Sequence, residues 1–491
     1  MTSTHDSGTG DRGIPASITV DLRNCMSNRI GPEHGLSGDS WAGLCSRLGA
    51  LTDQLRETQA AGSLRWRDLV RSPLSEEHVD QVSEVADQVR AYYAESAPGG
   101  RCKHMVVLGI GGSALGNIAL QAALRPQTHN LTSCKFRPGP RLYVMDNVDP
   151  ALVGDLMLQL ERADPGLQHT MVNVISKSGE TAETAAQFLI FRDWLRRHLG
   201  AERAGRHIVA ITDSSQGTMR AIVDREGYLN LPVPDGVGGR FSVLSPVGLF
   251  SACMGELDIA HLLAGAADMD RQCSESDPHR NPAAQLAGML IEFATNRGKP
   301  NHVMMPYSNS LYMLADWYRQ LWAESLGKRI DLDGREVFAG ATPIKALGTT
   351  DQHSQVQLYR EGPNDKVIGF VEVERFAHDV TIPSGLGVEA LSYLEGKTLG
   401  TLLNAEKRAT EYALVESNRP NYTIRMPEIS EYTVGQFLML WQVATAYAGL
   451  LLHIDAYDQP AVETGKVATF GLMGRPGYEQ WAEKVDKSLG G

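Results

Sequence analysis

The stretch Val106-Val-Leu-Gly-Ile-Gly-Gly-Ser-Ala-Leu-Gly116 sets glycines and a serine directly behind a short apolar run. It reads as a buried strand, a tight turn and the start of a helix. Glycines let such a turn approach a ligand closely and adopt positive φ, and the free N–H groups of the helix start attract an anion. About 65 residues later the arrangement recurs in Thr170–Ile175, a second apolar strand followed by Ser176-Lys-Ser-Gly-Glu-Thr181 and an amphipathic run to Leu199. Each turn alone also fits an ordinary polar turn with N-capping hydroxyls. The pair points to one phosphate held from two sides.

Gly109-x-Gly111-x-x-Ala114 partly matches the dinucleotide-binding fingerprint, but no acidic residue stands between Asn130 and Lys135 to take the ribose, and Asp146 lies too far along. Neither turn reads GxxxxGK[ST], so a nucleotide P-loop is excluded. The net charge of −12 argues against nucleic acid and anionic membrane surfaces as partners, so an anionic substrate needs a local basic pocket. Cys25, Cys45, Cys102, Cys134, Cys253 and Cys273 form no CxxC pair and read as free buried thiols of a reducing, cytoplasmic protein. The uncharged run Val434–Ile454 is long enough to span a membrane, yet Gln436, Gln442, Thr445 and Tyr447 within it favour a buried core helix.

Residues 1–20 read as a polar, disordered tail without a secretory signal, and residues 21–100 as a helical segment. From His104 short β-branched runs (105–108, 142–145, 171–175, 207–211) alternate with longer periodic segments, the pattern of a parallel α/β layer structure. A second such region opens at His302–Pro306 and continues through Val367–Val373, with an Ala-rich helical stretch between the two. Each half has a strand, a Ser-containing turn and a long helix, compatible with a diverged duplication.

Three further places carry chemistry. Asp235-Gly-Val-Gly-Gly-Arg-Phe-Ser242 sets glycines beside Arg240, whose planar cation suits an oxyanion. On the helix 313–325, Gln320 and Glu324 stand four residues apart and share a face, and the apolar Trp322–Ala323 is expected to desolvate the carboxylate toward a general base. His353 follows a polar turn, where a histidine can exchange protons near neutral pH. No HExxH, CxxC pair or acidic ligand cluster is present, and Asp331-x-Asp333-Gly334 lacks the remaining ligands of a calcium loop, so no metal and no cofactor are expected.

In this order the residues resemble the metal-independent glucose-6-phosphate isomerase family, from about Val106 to Lys466. The resemblance rests on Gly238-Gly239-Arg240-Phe241-Ser242 and on Tyr457-Asp458-Gln459 through Val462-Glu463 to Lys466. It implies an α/β fold of two SIS-type (flavodoxin-like) three-layer αβα domains with parallel sheets. The implied division is a first SIS domain at 101–245, linking helices at 246–297, a second SIS domain at 298–455 and a tail at 456–491. It implies that Gly112, Ser113, Ser176, Lys177, Ser178 and Thr181 hold the 6-phosphate, with Gly239, Gln320 and Gln459 as further substrate contacts. By the same resemblance Glu324 is the base, Arg240 stands beside the enediolate, and His353 and Lys466 assist ring opening. His353 reaches the partner's site in this family, which implies a homodimer. The implied activity is the interconversion of glucose 6-phosphate and fructose 6-phosphate in glycolysis and gluconeogenesis. A dual phosphoglucose/phosphomannose isomerase, a non-catalytic sugar-phosphate sensor and an NAD-dependent dehydrogenase stay as alternatives. Two positions depart from the family pattern. Ala461 replaces a glycine, and Glu180 puts an acid in the phosphate turn, where it repels the anion unless it faces away.

Overall fold

The computed structural model describes residues 17–385 and 387–490. Its strands are β1 (Thr19–Asp21), β2 (His104–Leu108), β3 (Arg141–Met145), β4 (Thr170–Ile175), β5 (Ile208–Thr212) and β6 (Leu229–Pro232), followed by β7 (Asn301–Pro306), β8 (Lys328–Ile330), β9 (Glu336–Ala339), β10 (Thr342–Lys345), β11 (Lys366–Arg375) and β12 (Asn421–Glu428). β2, β4 and β5 are buried along their whole length, because helices cover both faces of a parallel sheet.

Two five-stranded sheets result, of order β3-β2-β4-β5-β6 and β10-β7-β11-β12-β1. The first is parallel throughout. The second is parallel except for β1, which pairs antiparallel with β12. With the separate antiparallel pair β8–β9 set aside, the first four strands that each half gives to its five-stranded sheet lie in the same order, second-first-third-fourth. That shared topology is what a duplicated α/β unit leaves behind. In such sheets the chain reverses direction beside the first strand, and ligands bind in the crevice outside the strand carboxyl ends at that switch point.

The boundary between the expected tail (1–20) and the expected helical segment (21–100) instead holds β1, and Ile18 beside it is buried. A three-residue edge strand carries too little periodicity to be told from a tail. Residues 1–16 of the expected tail lie outside the described residues. Three helices, Pro246–Met254, Ile259–Gln272 and Pro282–Asn296, join the halves. The helix Glu431–Leu451, the one expected to sit in the core, is buried over most of its length against the second and third of these.

The first helix of each half sets up the site. Helix Gly112–Leu124 follows β2, and helix Tyr312–Leu326 follows β7. The two pack against each other in opposite directions: Gly111 lies beside Gln320, and Gln127 Nε2 donates to Ser310 Oγ at 3.3 Å. The amino end of one therefore faces the carboxyl end of the other.

Candidate active site

The first turn opens at the carboxyl end of β2. Helix 112–124 starts on glycine with no capping side chain; the Ser113 and Ala114 N–H groups turn back to the carbonyls of Ile110 (3.1 Å) and Gly111 (3.0 Å), so the amide that this end offers a ligand is that of Gly112. A Cβ at Gly112 would lie 2.2 Å from the Gly239 carbonyl oxygen, so only glycine lets the two loops meet. The second turn follows β4, the neighbouring strand across the switch point. Ser176 Oγ accepts from Gly179 N–H at 3.1 Å and Ser178 Oγ accepts from Glu180 N–H at 3.1 Å, which folds the turn into a cup. Thr181 precedes helix Ala182–Leu199 without capping it, leaving its hydroxyl for a ligand.

Ser113, Ser176, Lys177, Ser178, Thr181, Gly239 and Gln459 line one cleft of about 570 Å³. A neighbouring cleft of about 690 Å³ shares Ser178, Thr181, Gly239 and Gln459 with it and adds Gly112, Arg240, Gln320, Glu324 and Lys466. Every residue singled out as a substrate contact thus lines one continuous hollow, as do three of the four expected catalytic groups. His353 does not. It ends an exposed 3-10 turn beyond β10, at the carboxyl edge of the second sheet, and lines neither cleft.

Arg240 is the best-anchored group in the hollow. It lies in a 3-10 turn, Gly239–Phe241, pinned by Phe241 packing on Trp66 and Tyr457. Its Nε donates to Ser325 Oγ at 3.0 Å, and its terminal nitrogens reach Gln459 Oε1 (2.9 Å) and the carbonyls of Ala456 (3.1 Å) and Asp458 (3.2 Å). It also pairs with Glu324 Oε1 at 3.0 Å. Glu324 Oε2 accepts from Gln320 Nε2 at 3.0 Å, so the i, i+4 spacing delivers the expected neighbour.

The expected environment of Glu324 needs correction. Trp322 does not desolvate the carboxylate. Residues two apart on a helix are rotated by about 200°, which turns Trp322 into the core against Tyr318 and Trp441. Glu324 instead faces the hollow, with 28% of its side chain exposed, between a guanidinium and an amide.

Both departures are accommodated. Glu180 turns to Arg475 Nη2 (2.8 Å) and accepts from Thr218 Oγ1 (3.1 Å). The hydrogen bond from Arg475 holds its carboxyl below the usual range. Ala461 opens the helix Ala461–Leu472, where no positive φ is required. That helix carries Lys466, whose Nζ contacts Glu463 at 2.6 Å, and lies across the mouth of the hollow.

Sequence reading missed Asp213, Gln216 and Gly217, which line the first cleft after β5. Asp213 Oδ1 accepts N–H bonds from Ser215 and Gln216 at 3.0 Å, which hold its carboxyl below the usual range. Thr212-Asp-Ser-Ser-Gln216 repeats the strand-to-polar-turn signal of the other two turns and could have been found by it. Lys328, buried below Glu324, was also missed. Among the described residues no group of three or more His, Cys, Asp or Glu side chains is placed to hold a metal ion.

The chain matches the phosphoglucose isomerase family over residues 69–488. It is 44% identical to a glucose-6-phosphate isomerase of Carboxydothermus hydrogenoformans over 88% of this chain and 90% of that protein. A glucose-6-phosphate isomerase of Thermus thermophilus is 41% identical over 86% of this chain and 95% of the relative. Among solved structures, a Thermus thermophilus protein described as hypothetical superposes with a TM-score of 0.77 at 36% identity, covering 93% of this chain and 100% of the other. A glucose-6-phosphate isomerase from Chlamydia trachomatis shares the fold, with a TM-score of 0.76 at 21% identity over 96% of each chain. With the match spanning most of its length, the chain belongs to the phosphoglucose isomerase family.

Proposed function

We propose that the chain interconverts glucose 6-phosphate and fructose 6-phosphate, with Glu324 as the base that moves the proton between carbons 2 and 1. The carrying observation is the shared hollow, with the amide and hydroxyl cup at one end and the Glu324–Arg240–Gln320 cluster at the other. In this reading the phosphate sits against Gly112, Ser113, Ser176, Ser178 and Thr181, with Lys177 beside it. That contact is remote from the reacting carbons and orients the opened sugar. Lys466 and His353 exchange protons with the ring oxygen and hydroxyl to open the ring. Glu324 then takes the proton from carbon 2, and the electrons flow into a cis-enediolate. The hydroxyl proton on oxygen 2 passes to oxygen 1, the same carboxyl returns its proton to carbon 1, and the aldose becomes a ketose with no net change in atoms. Sugar C–H bonds are weak acids, and the fixed guanidinium of Arg240 offsets the enediolate charge, an effect worth several kcal/mol in comparable sites.

The exposed position of His353 outside the hollow supports a homodimer in which it serves the partner's site. We read the enzyme as cytoplasmic, with Cys25, Cys45, Cys102, Cys253 and Cys273 buried as free thiols.

The test supplies fructose 6-phosphate and reads NADPH through glucose-6-phosphate dehydrogenase. The wild-type chain turns over. Glu324→Gln keeps KM within about threefold and loses at least about three orders of magnitude in kcat. A variant that retains more than about a tenth of wild-type turnover means that another group is the base. Wild-type silence in this assay would leave a sensor, and comparable turnover of mannose 6-phosphate a dual isomerase.

A further inference from the structure

Glu324 stands in the last turn of helix Tyr312–Leu326, an unfavourable place for a carboxylate. The final carbonyls of a helix have no partners within it, and together with the macrodipole they place partial negative charge there. A base in that position is pushed away from the helix end unless something neutralises it. Arg240 does so from the side of the hollow. From below, the buried ammonium of Lys328 donates to the carbonyl of Glu324 at 3.0 Å and to that of Ser325 at 2.8 Å. The same Nζ lies 3.6 Å from Asp458 Oδ1. Asp458 adjoins Gln459 and gives its own carbonyl to Arg240. One ammonium therefore ties the end of the base helix to the loop that leads into the helix of Lys466.

We infer that Lys328 is a positioning residue for the isomerisation: it caps the helix end beneath Glu324 and fixes the 455–459 loop against it, without touching the sugar. The inference rests on Glu324 being the base. Lysine suits the task because three donors on one nitrogen can serve two carbonyls and a carboxylate together. The side chain reaches neither cleft, so its loss leaves the phosphate cup intact.

The test compares Lys328→Met, Lys328→Arg and Glu324→Gln in the full-length protein, with fructose 6-phosphate in the coupled assay. Lys328→Met keeps the unbranched stem, one atom shorter, and removes the charge and the donors. It is expected to lower kcat about tenfold and to change KM by less than about threefold, while Lys328→Arg recovers most of the loss. A folded Lys328→Met with kcat within about twofold of wild type overturns the inference. So does a fall in kcat matched by an equal rise in KM, or an arginine variant no better than methionine. Should Lys328→Met fail to fold, Lys328→Gln is judged by the same limits. A Glu324→Gln protein that still turns over sinks the assignment of the base. An inactive Glu324→Gln beside a normal Lys328→Met sinks this inference alone.

Discussion

The two halves share a strand order and differ in the segment that leads from the first strand into its helix. In the first half, β2 runs through Gly109–Gly111 straight into a helix that starts on Gly112 with no capping side chain. In the second half, β7 runs into Tyr307–Ser308 and a 3-10 turn, Asn309–Leu311, before its helix begins. Ser308 and Leu311 are buried there, and the helix starts only after that extra turn. The second helix contributes its other end instead, where Gln320 and Glu324 reach the hollow. Antiparallel packing of the two helices makes the proposed division of labour geometric: in that reading the electropositive amino end binds the phosphate, and the facing carboxyl end carries Glu324 as the base. A duplicated unit needs no second phosphate site once its helix is used this way.

The largest expected effect breaks or sustains that asymmetry. Gly112→Ala drives a methyl group into the Gly239 carbonyl and pushes the two loops apart. It is expected to raise KM for fructose 6-phosphate by at least about tenfold, measured in the coupled assay, since a backbone displacement removes contacts that no side chain can restore. Ser310→Ala, at the turn that takes the corresponding place in the second half, is expected to leave KM within about twofold. A strong KM effect at Ser310 would mean that both halves bind the anion.

A smaller effect sharpens the likeness. Each half carries a buried histidine near the start of its first strand, His104 stacked on Tyr143 and His302 beside Trp322. Burial pushes their pKa values from 6.5 down to about 4 and about 3. Between those values and 6.5 the unfolded chain binds protons that the folded chain refuses, so acidification favours unfolding. The stability is fully present above pH 6.5 and is lost as pH falls toward 4 and below. Calorimetric Tm values are expected to decline from pH 7.5 to pH 5, and His302→Gln to flatten that slope. If Tm is flat across the window, neither strand is held by a neutral imidazole.

Legibility followed the same division. Strands buried on both faces, β2, β4, β5 and β11, announced themselves as apolar runs rich in β-branched residues. β6 and β10 did not. Both are four-residue edge strands containing proline, whose missing N–H is tolerated only at an edge. β12 hid for a different reason, since Asn421, Arg425 and Pro427 interrupt its apolar pattern. At the site, three glycines beside one arginine fit a surface turn as well as an anion site, and Arg240 became legible only through the family pattern that Gly238–Ser242 resembles. The surroundings of Glu324 were misread from its chain neighbours, which a helix turns to other faces. Lys328 offered no signal at all: a lysine just past a helix is ordinarily solvated, and the depth of its pocket is a property of the tail that folds over it.

The smallest effect concerns the tail itself, the element with no counterpart in the first half. Helices Ala461–Leu472 and Glu479–Leu489 pack mainly on each other, and their ionic link to the phosphate turn is the pair Arg475–Glu180. Arg475 is held in place by the rings of Phe470 and Tyr478, 4.5 and 5.3 Å from their centroids. The pair is solvent-accessible and screened by salt, so its effect is small, a factor of up to about five in an equilibrium. If it clasps the tail over the sugar, Arg475→Met and Glu180→Gln both raise KM by about two- to fivefold, with kcat nearly unchanged. If the acid instead acts by repelling phosphate, the two variants move KM in opposite directions, because Glu180→Gln removes the repulsion and Arg475→Met unmasks it. Salt separates the clasp from a packing effect. Raising ionic strength toward about 0.5 M screens exposed charges and brings wild type and both variants together, whereas a KM difference that survives high salt belongs to the rings around Arg475 and not to its charge.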